Sequence, residues 1–142
     1  MLQDTYDTFA ERYDWMKENN PAREHFFRQL FVNHRVSKVL DCACGTGRDL
    51  IMFHGMGVAV FGSDLSGAML AQARKNTAQA QVEIPIQKAN YCELPEHYDT
   101  EFDAVICLTN SINETLEDAG TLRALRSMKS VLRTGGILVF DQ

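Results

Sequence analysis

The chain has 142 residues, 45% of them apolar and 23% charged, and carries a formal net charge of −5. That length suffices for one globular domain with a core of its own, and the acidic balance argues against a nucleic-acid partner, whose binding rests on phosphate neutralisation. No run of about 18 apolar residues occurs and no basic segment leads into an apolar one, so neither a membrane span nor a secretory signal is expected.

In chain order, an aromatic segment comes first, over about 3–18, with Tyr6, Phe9, Tyr13 and Met16 on one face of a helix. Such a stripe packs on a sheet or a neighbouring subunit, or closes over a cation, which an aromatic face attracts. Pro21 predicts the opening of a helix that runs to about 33. Strands are expected near 38–43, 58–63, 82–88, 101–108 and 135–141, with helices near 47–55, 66–78 and 118–133. Glycines at 55, 57, 120, 135 and 136 mark the boundaries. The alternation predicts an α/β fold, doubly wound around a mainly parallel sheet. The last strand, Gly136 to Asp141, is strongly apolar and would leave a bare sheet edge, which proteins cover. The expectation is a piece of a longer chain that lacks its C-terminal strands; cover by a partner is the other option.

The densest information lies in Val39-Leu40-Asp41-Cys42-Ala43-Cys44-Gly45-Thr46-Gly47-Arg48-Asp49. An apolar strand ends in an acid and runs into a loop whose alternate residues, Ala43, Gly45 and Gly47, let backbone approach a ligand closely. That is the pattern of a nucleotide-type cofactor site at the carboxyl end of a first parallel strand. A dinucleotide fingerprint reads G-x-G-x-x-G, but the third glycine is replaced by Leu50. A phosphate-binding P-loop needs Gly-Lys-Ser/Thr, and Arg48-Asp49 stands there instead. Asp49 in the first helical turn would repel a pyrophosphate, whereas Asp41 suits a cationic ligand. S-adenosyl-L-methionine, with a sulfonium, an ammonium and no phosphate, fits best. An ordinary strand-to-helix turn would also use these glycines.

A second strand, Val58 to Ser63, ends in Asp64, 17 residues after Gly47. An acid about 20 residues on meets ribose hydroxyls in nucleotide-binding folds, although an acid also commonly flanks a helix start. Ser66 begins the next helix, with Met69, Leu70 and Ala73 on one face. Asn90 followed by Tyr91 offers an amide and a ring to an adenine edge, or merely caps a turn. Asn110 lies just past the apolar run Ala104 to Leu108, at a strand end where ligands of such sheets bind; a helix start is the plainer reading. The cysteines at 42, 44, 92 and 107 and the histidines at 25, 34, 54 and 97 show no metal-ligand spacing, so no metal is expected. Buried reduced thiols of a cytoplasmic protein are expected instead. Arg123, Arg126, Lys129 and Arg133 read as a solvated helix face.

Together, Asp41-x-Ala43-Cys44-Gly45-Thr46-Gly47, Ala89-Asn90-Tyr91, Phe102 to Ser111, and the aromatic pair Tyr6 and Trp15 resemble the class I S-adenosylmethionine-dependent methyltransferases. Within that class the chain is most similar to the glycine/sarcosine N-methyltransferase group. The resemblance implies the Rossmann-like class I fold, with an N-terminal helical cap over 1–34 and a cofactor-binding core over 35–142. It also implies that Ala43 and its neighbours approach the methionine part of the cofactor and that Asp64, with Leu65 beside it, holds the ribose. Met69 would line the adenine pocket, Asn90 and Tyr91 would flank the base, and Leu108 would present its backbone near the ammonium. Tyr6, Trp15 and Arg23 would close over the cofactor, with Arg23 meeting its carboxylate. Asn110 would orient a small-molecule acceptor, glycine- or sarcosine-like. The family's substrate-gripping arginine would fall beyond Gln142. Methylation of another small molecule or of a macromolecule, an inactive cofactor-binding module, and a homo-oligomer all remain open.

Overall fold

The computed structural model describes residues 20–108 and 118–141. Helix α1 (Pro21–Asn33) begins where Asn20 caps it, its side-chain oxygen accepting from the Arg23 N–H at 3.2 Å. Pro21 sits where a missing N–H costs nothing. Then follow β1 (Lys38–Asp41), α2 (Arg48–His54), β2 (Ala59–Asp64), α3 (Gly67–Gln79), β3 (Ile86–Lys88), a short 3-10 turn (Leu94–Glu96), β4 (Phe102–Cys107), α4 (Asp118–Ser130) and β5 (Leu132–Phe140).

The strands form one sheet in the order β3-β2-β1-β4-β5, every pairing parallel. Alternate residues of each strand enter opposite cores, as a period of two requires. Val39, Ala104 and Ile106 face a cluster with Phe27 and Phe31 of α1, Leu50 and Phe53 of α2, and Leu70 of α3. Leu40, Val105 and Cys107 face the other cluster, with Ala124 and Met128 of α4 and Leu94 of the 3-10 turn. The chain runs outward from β1 in one direction through β2 and β3, then in the other through β4 and β5. The order therefore reverses beside β1, and in such sheets ligands bind at that crevice.

The helix expected over 118–133 ends at Ser130, so Arg133, expected on its solvated face, stands in β5 and pairs with Asp103; three strand boundaries also differ by more than one residue. The strand expected over 82–88 shrinks to β3, because α3 ends in a tight turn: Gln81 takes φ 58° and the Val82 N–H returns to the Thr77 carbonyl at 3.1 Å. The first strand stops at Asp41, where the Ala43 N–H bends back to the Asp41 carboxylate at 3.2 Å. The last strand starts at Leu132, three residues before the glycine pair that was expected to open it. Its ladder with β4 pairs Phe102 with Leu132 and then Ala104 with Ile137, so the chain bulges outward in between.

Candidate functional site

The tips of β1 and β2 bring together Asp41, the Gly45–Gly47 loop and Asp64. Asp41 is only 3% exposed. Burial above all, then the charges of Asp49 and Asp64, push its carboxyl up to about 8, against the pull of the Ala43 N–H and Arg23. Asp64 is drawn into the loop: its Oδ2 accepts from the Gly45 N–H and its Oδ1 from the Ser66 N–H, both at 2.9 Å. Burial raises its pKa, and these N–H groups, with that of Leu65, oppose the rise. A carboxylate has about four acceptor directions, so Asp64 is oriented by backbone and still has acceptor capacity for hydroxyls.

The loop is fixed by close approach. Gly47 takes φ 84°, and a Cβ there would come within 3.2 Å of the Ala73 Cβ on α3. A bond from the Asn76 side chain to the Thr46 carbonyl, at 2.9 Å, ties the loop to α3 a turn further along. The third glycine missing from the loop has a counterpart in β2, where a Cβ on Gly62 would meet Leu50 at 2.6 Å. Close packing of α2 on the sheet is thus achieved from the strand side.

The remaining expected residues distribute as follows. Ala43 is half-buried and packs on the Leu40 cluster, as does Tyr91. Met69 is buried, beneath the Ser66 cap whose Oγ accepts from its N–H at 3.2 Å. Leu65 projects at the tip of β2 with 52% exposure. Asn90 makes the plainer of its two expected contacts: its Oδ1 accepts from the Cys92 N–H at 2.8 Å, an Asx turn. Leu108 is half-buried past the end of β4. Tyr6, Trp15 and Asn110 lie outside the described residues. All four cysteines are free thiols; Cys42, Cys44 and Cys107 are buried as expected, whereas Cys92 is only half-buried.

Arg23 meets a carboxylate of this chain. Its two terminal nitrogens pair with the two oxygens of Asp49, Nη2 to Oδ2 at 2.8 Å, and its guanidinium lies 5.4 Å from the centre of the Phe27 ring. This pair bridges α1 and α2 on the wall of an open groove of about 1180 Å³, which Phe26, Leu108, Val139 and Asp141 also line. The sequence reading placed Asp49 only as a phosphate-repelling charge; its partner 26 residues earlier carries no local signal. Glu93, Glu96 and His97 also gather their ligand-type atoms within 4.8 Å. Exposed acids often do so without a metal, and Glu93 is already paired with Arg123 at 3.1 Å.

A five-stranded parallel sheet of this order, with a glycine loop and an acid at each of two neighbouring tips, is the Rossmann-like fold of class I methyltransferases. The chain belongs to the methyltransferase domain family, whose family model matches residues 39–136. It is 33% identical over 142 residues to a glycine/sarcosine N-methyltransferase of Parasynechococcus marenigrum, covering 98% of this chain and 50% of that protein. Among solved structures it is similar to the sugar N-methyltransferase KedS8 from Streptoalloteichus, with a TM-score of 0.79, 32% identity, and coverage of 96% of this chain and 52% of the other. It is also similar to S-adenosylmethionine-bound CalS10, an amino pentose methyltransferase from Micromonospora echinaspora (TM-score 0.78, 25% identity, 94% and 55% covered). The chain spans about half the length of the curated relatives it matches.

Proposed function

We propose that the chain binds S-adenosylmethionine across the tips of β1 and β2 and transfers its methyl group to an amine of a small molecule. The observation that carries the reading is the sign of the cleft. Asp41, Asp49 and Asp64 surround one loop closely enough for the charges of the other two to raise the Asp41 carboxyl. A pyrophosphate there would meet acids rather than donors, whereas a sulfonium and an ammonium favour ionisation of Asp41, which holds its proton in the ligand-free protein. The residues present fit the donor: Asp64 offers carboxylate oxygens to ribose hydroxyls, and the Gly45–Gly47 loop beside it presents backbone rather than bulky side chains.

When bound, the donor supplies a methyl group already activated on a positively charged sulfur. The protein's own work is alignment. Asp64, with Leu65 beside it, would hold the ribose, while Met69 would line the adenine pocket and Asn90 and Tyr91 would flank the base. Ala43, the loop glycines and the Leu108 backbone would border the methionine part, with Tyr6 and Trp15 closing over it. Asn110 would turn the amine lone pair toward the carbon, opposite the departing sulfur. Holding reacting atoms about 3–3.5 Å apart removes several kcal/mol of barrier through entropy alone. An amine that enters neutral needs no strong base to become a nucleophile, in keeping with a cleft built from acids and backbone.

The glycine/sarcosine relatives favour a small amino acid as acceptor, and the sugar-methylating neighbours favour an amino sugar. Incubation with methyl-labelled donor and a panel of glycine, sarcosine, amino sugars and simple amines tests both. Label on an amine nitrogen of one class is expected. Donor binding with no transfer to any amine would overturn the reading in favour of a binding module.

A further inference from the structure

Of the three acids around the glycine loop, Asp41 has the fewest donors. It closes β1 in the middle of the sheet, between Gly62 of β2 and Ile106 of β4, and is 3% exposed. Among the described residues one donor reaches its side chain, the Ala43 N–H at 3.2 Å. Asp64 takes the Gly45 and Ser66 N–H groups at 2.9 Å, and Asp49 takes both terminal nitrogens of Arg23. The groups that face Asp41 from neighbouring elements do not neutralise it. β2 contributes Asp64, α2 contributes Asp49, and α1 contributes Arg23, which is committed to Asp49. The thiols of Cys42 and Cys44 beside it and of Cys107 on β4 supply no cation, and Arg74 of α3 bears on Cys44. A carboxyl group so placed needs either a proton or a cation brought from outside. Its pKa of about 8 says that the ligand-free protein uses the proton.

We propose that Asp41 is the charge-specificity residue of the cleft, holding a proton in the ligand-free protein and giving it up to solvent when a cationic donor binds. The inference rests on the reading that the cleft takes S-adenosylmethionine. One positive charge leaves as the proton and the donor brings its own, so Asp41 is never ionised without a counter-charge. A neutral nucleoside brings none, leaves the proton in place and gains nothing as pH rises. The cleft therefore favours the charged donor over uncharged nucleosides more strongly as the pH approaches 8 from below.

Calorimetric titration with S-adenosylmethionine at about pH 6.5, in two buffers of unlike ionisation enthalpy such as MES and imidazole, counts the protons released. The donor's own α-ammonium is already charged at that pH, so a released proton comes from the protein. Close to one proton per donor is expected, with affinity rising by about tenfold from pH 6 to 7. 5′-Methylthioadenosine, which lacks both positive charges, should release none. Asp41→Asn keeps the acceptor for the Ala43 N–H and has no proton to give, so it should bind the donor without release. Its ligand-free infrared spectrum should also lack the protonated-carboxyl band that the unaltered protein loses on binding, a readout independent of the variant's affinity. Donor binding without proton release, equal release with methylthioadenosine, or release or the band persisting in Asp41→Asn overturns the proposal. An unaltered protein that does not bind the donor at all refutes the cofactor reading instead.

Discussion

Asp41 and Asp103 stand at opposite ends of neighbouring parallel strands, and the chain treats them in opposite ways. Asp103, near the start of β4, accepts from the Ser37 N–H and hydroxyl at 2.8 Å, from the Lys38 N–H at 2.9 Å and from Arg133 Nε at 2.6 Å. Arg133 reaches on to the His34 carbonyl at 3.2 Å, so one carboxylate staples β1, β4, β5 and the end of α1. Burial works against its ionisation, yet the donors from Ser37, Arg133 and Lys38 outweigh that and hold its pKa below the usual range. Asp41, at the other end of β1, is more deeply buried and has acids for neighbours. A carboxylate with its donors built in holds a fold together. Under the proposed function, one left beside other acids serves a cation from outside.

The largest effect expected is on Asp64. Asp64→Ala removes the proposed ribose acceptor and the partner of the Gly45 N–H, and hydrogen bonds to a charged group are worth about 1.5–3 kcal/mol each. Affinity for S-adenosylmethionine should fall by roughly a hundredfold or more. Calorimetry that finds it unchanged would remove Asp64 from the ligand side of the comparison.

Asp103→Ala probes the other end. It strips the acceptor from the Ser37 and Lys38 N–H groups, the Ser37 hydroxyl and Arg133, for a loss of about 2 kcal/mol once rehydration of these partly exposed donors is allowed for. Denaturant unfolding measures it, and donor affinity of the folded variant should not move. A matching loss of affinity would mean that the two ends of the sheet are not separable.

pH sharpens the contrast, because the two acids carry opposite signs. Asp41 has its pKa raised from 3.8 to about 8, so the folded chain holds a proton that the unfolded chain has lost. Stability of the ligand-free protein therefore falls through Asp41 as pH rises from about 4 to 8. Asp103, lowered, contributes stability that is present above its unfolded value near 4 and lost as pH falls through the folded one. Asp41→Asn should flatten the upper slope and stabilise the free protein at pH 8 by on the order of 1–2 kcal/mol. An unaltered slope in thermal melts across that range would show that Asp41 is not the group responsible.

Much of this arrangement is legible in the sequence where it is local. Apolar runs ending in Asp41 and Asp64 give two strands buried on both faces, and glycines between strand and helix give the loop. Distance along the chain hides the rest. Nothing near Asp103 announces Ser37, 66 residues earlier, and nothing near Arg23 announces Asp49. The 82–88 segment carries strand-like residues, yet the turn closing α3 claims its first part, and pairing with β2 begins only at the Pro85 carbonyl, which accepts from the Gly62 N–H at 2.9 Å. At Asn90 the residue types favour a ligand over a turn, yet the contact the chain makes is the turn.

The smallest predicted effect tests how far the ligand end depends on local capping. Ser66 is buried, and its Oγ accepts from the Met69 N–H at the start of α3, two residues past Asp64. Loss of such a cap costs about 1 kcal/mol, so Ser66→Ala should lower the unfolding free energy by that amount. The Ser66 backbone N–H that orients Asp64 is kept in the variant. Donor affinity should therefore stay close to that of the unaltered chain while stability drops. A fall in affinity as large as that of Asp64→Ala would mean that the cap, rather than the carboxylate, sets the geometry of the tip.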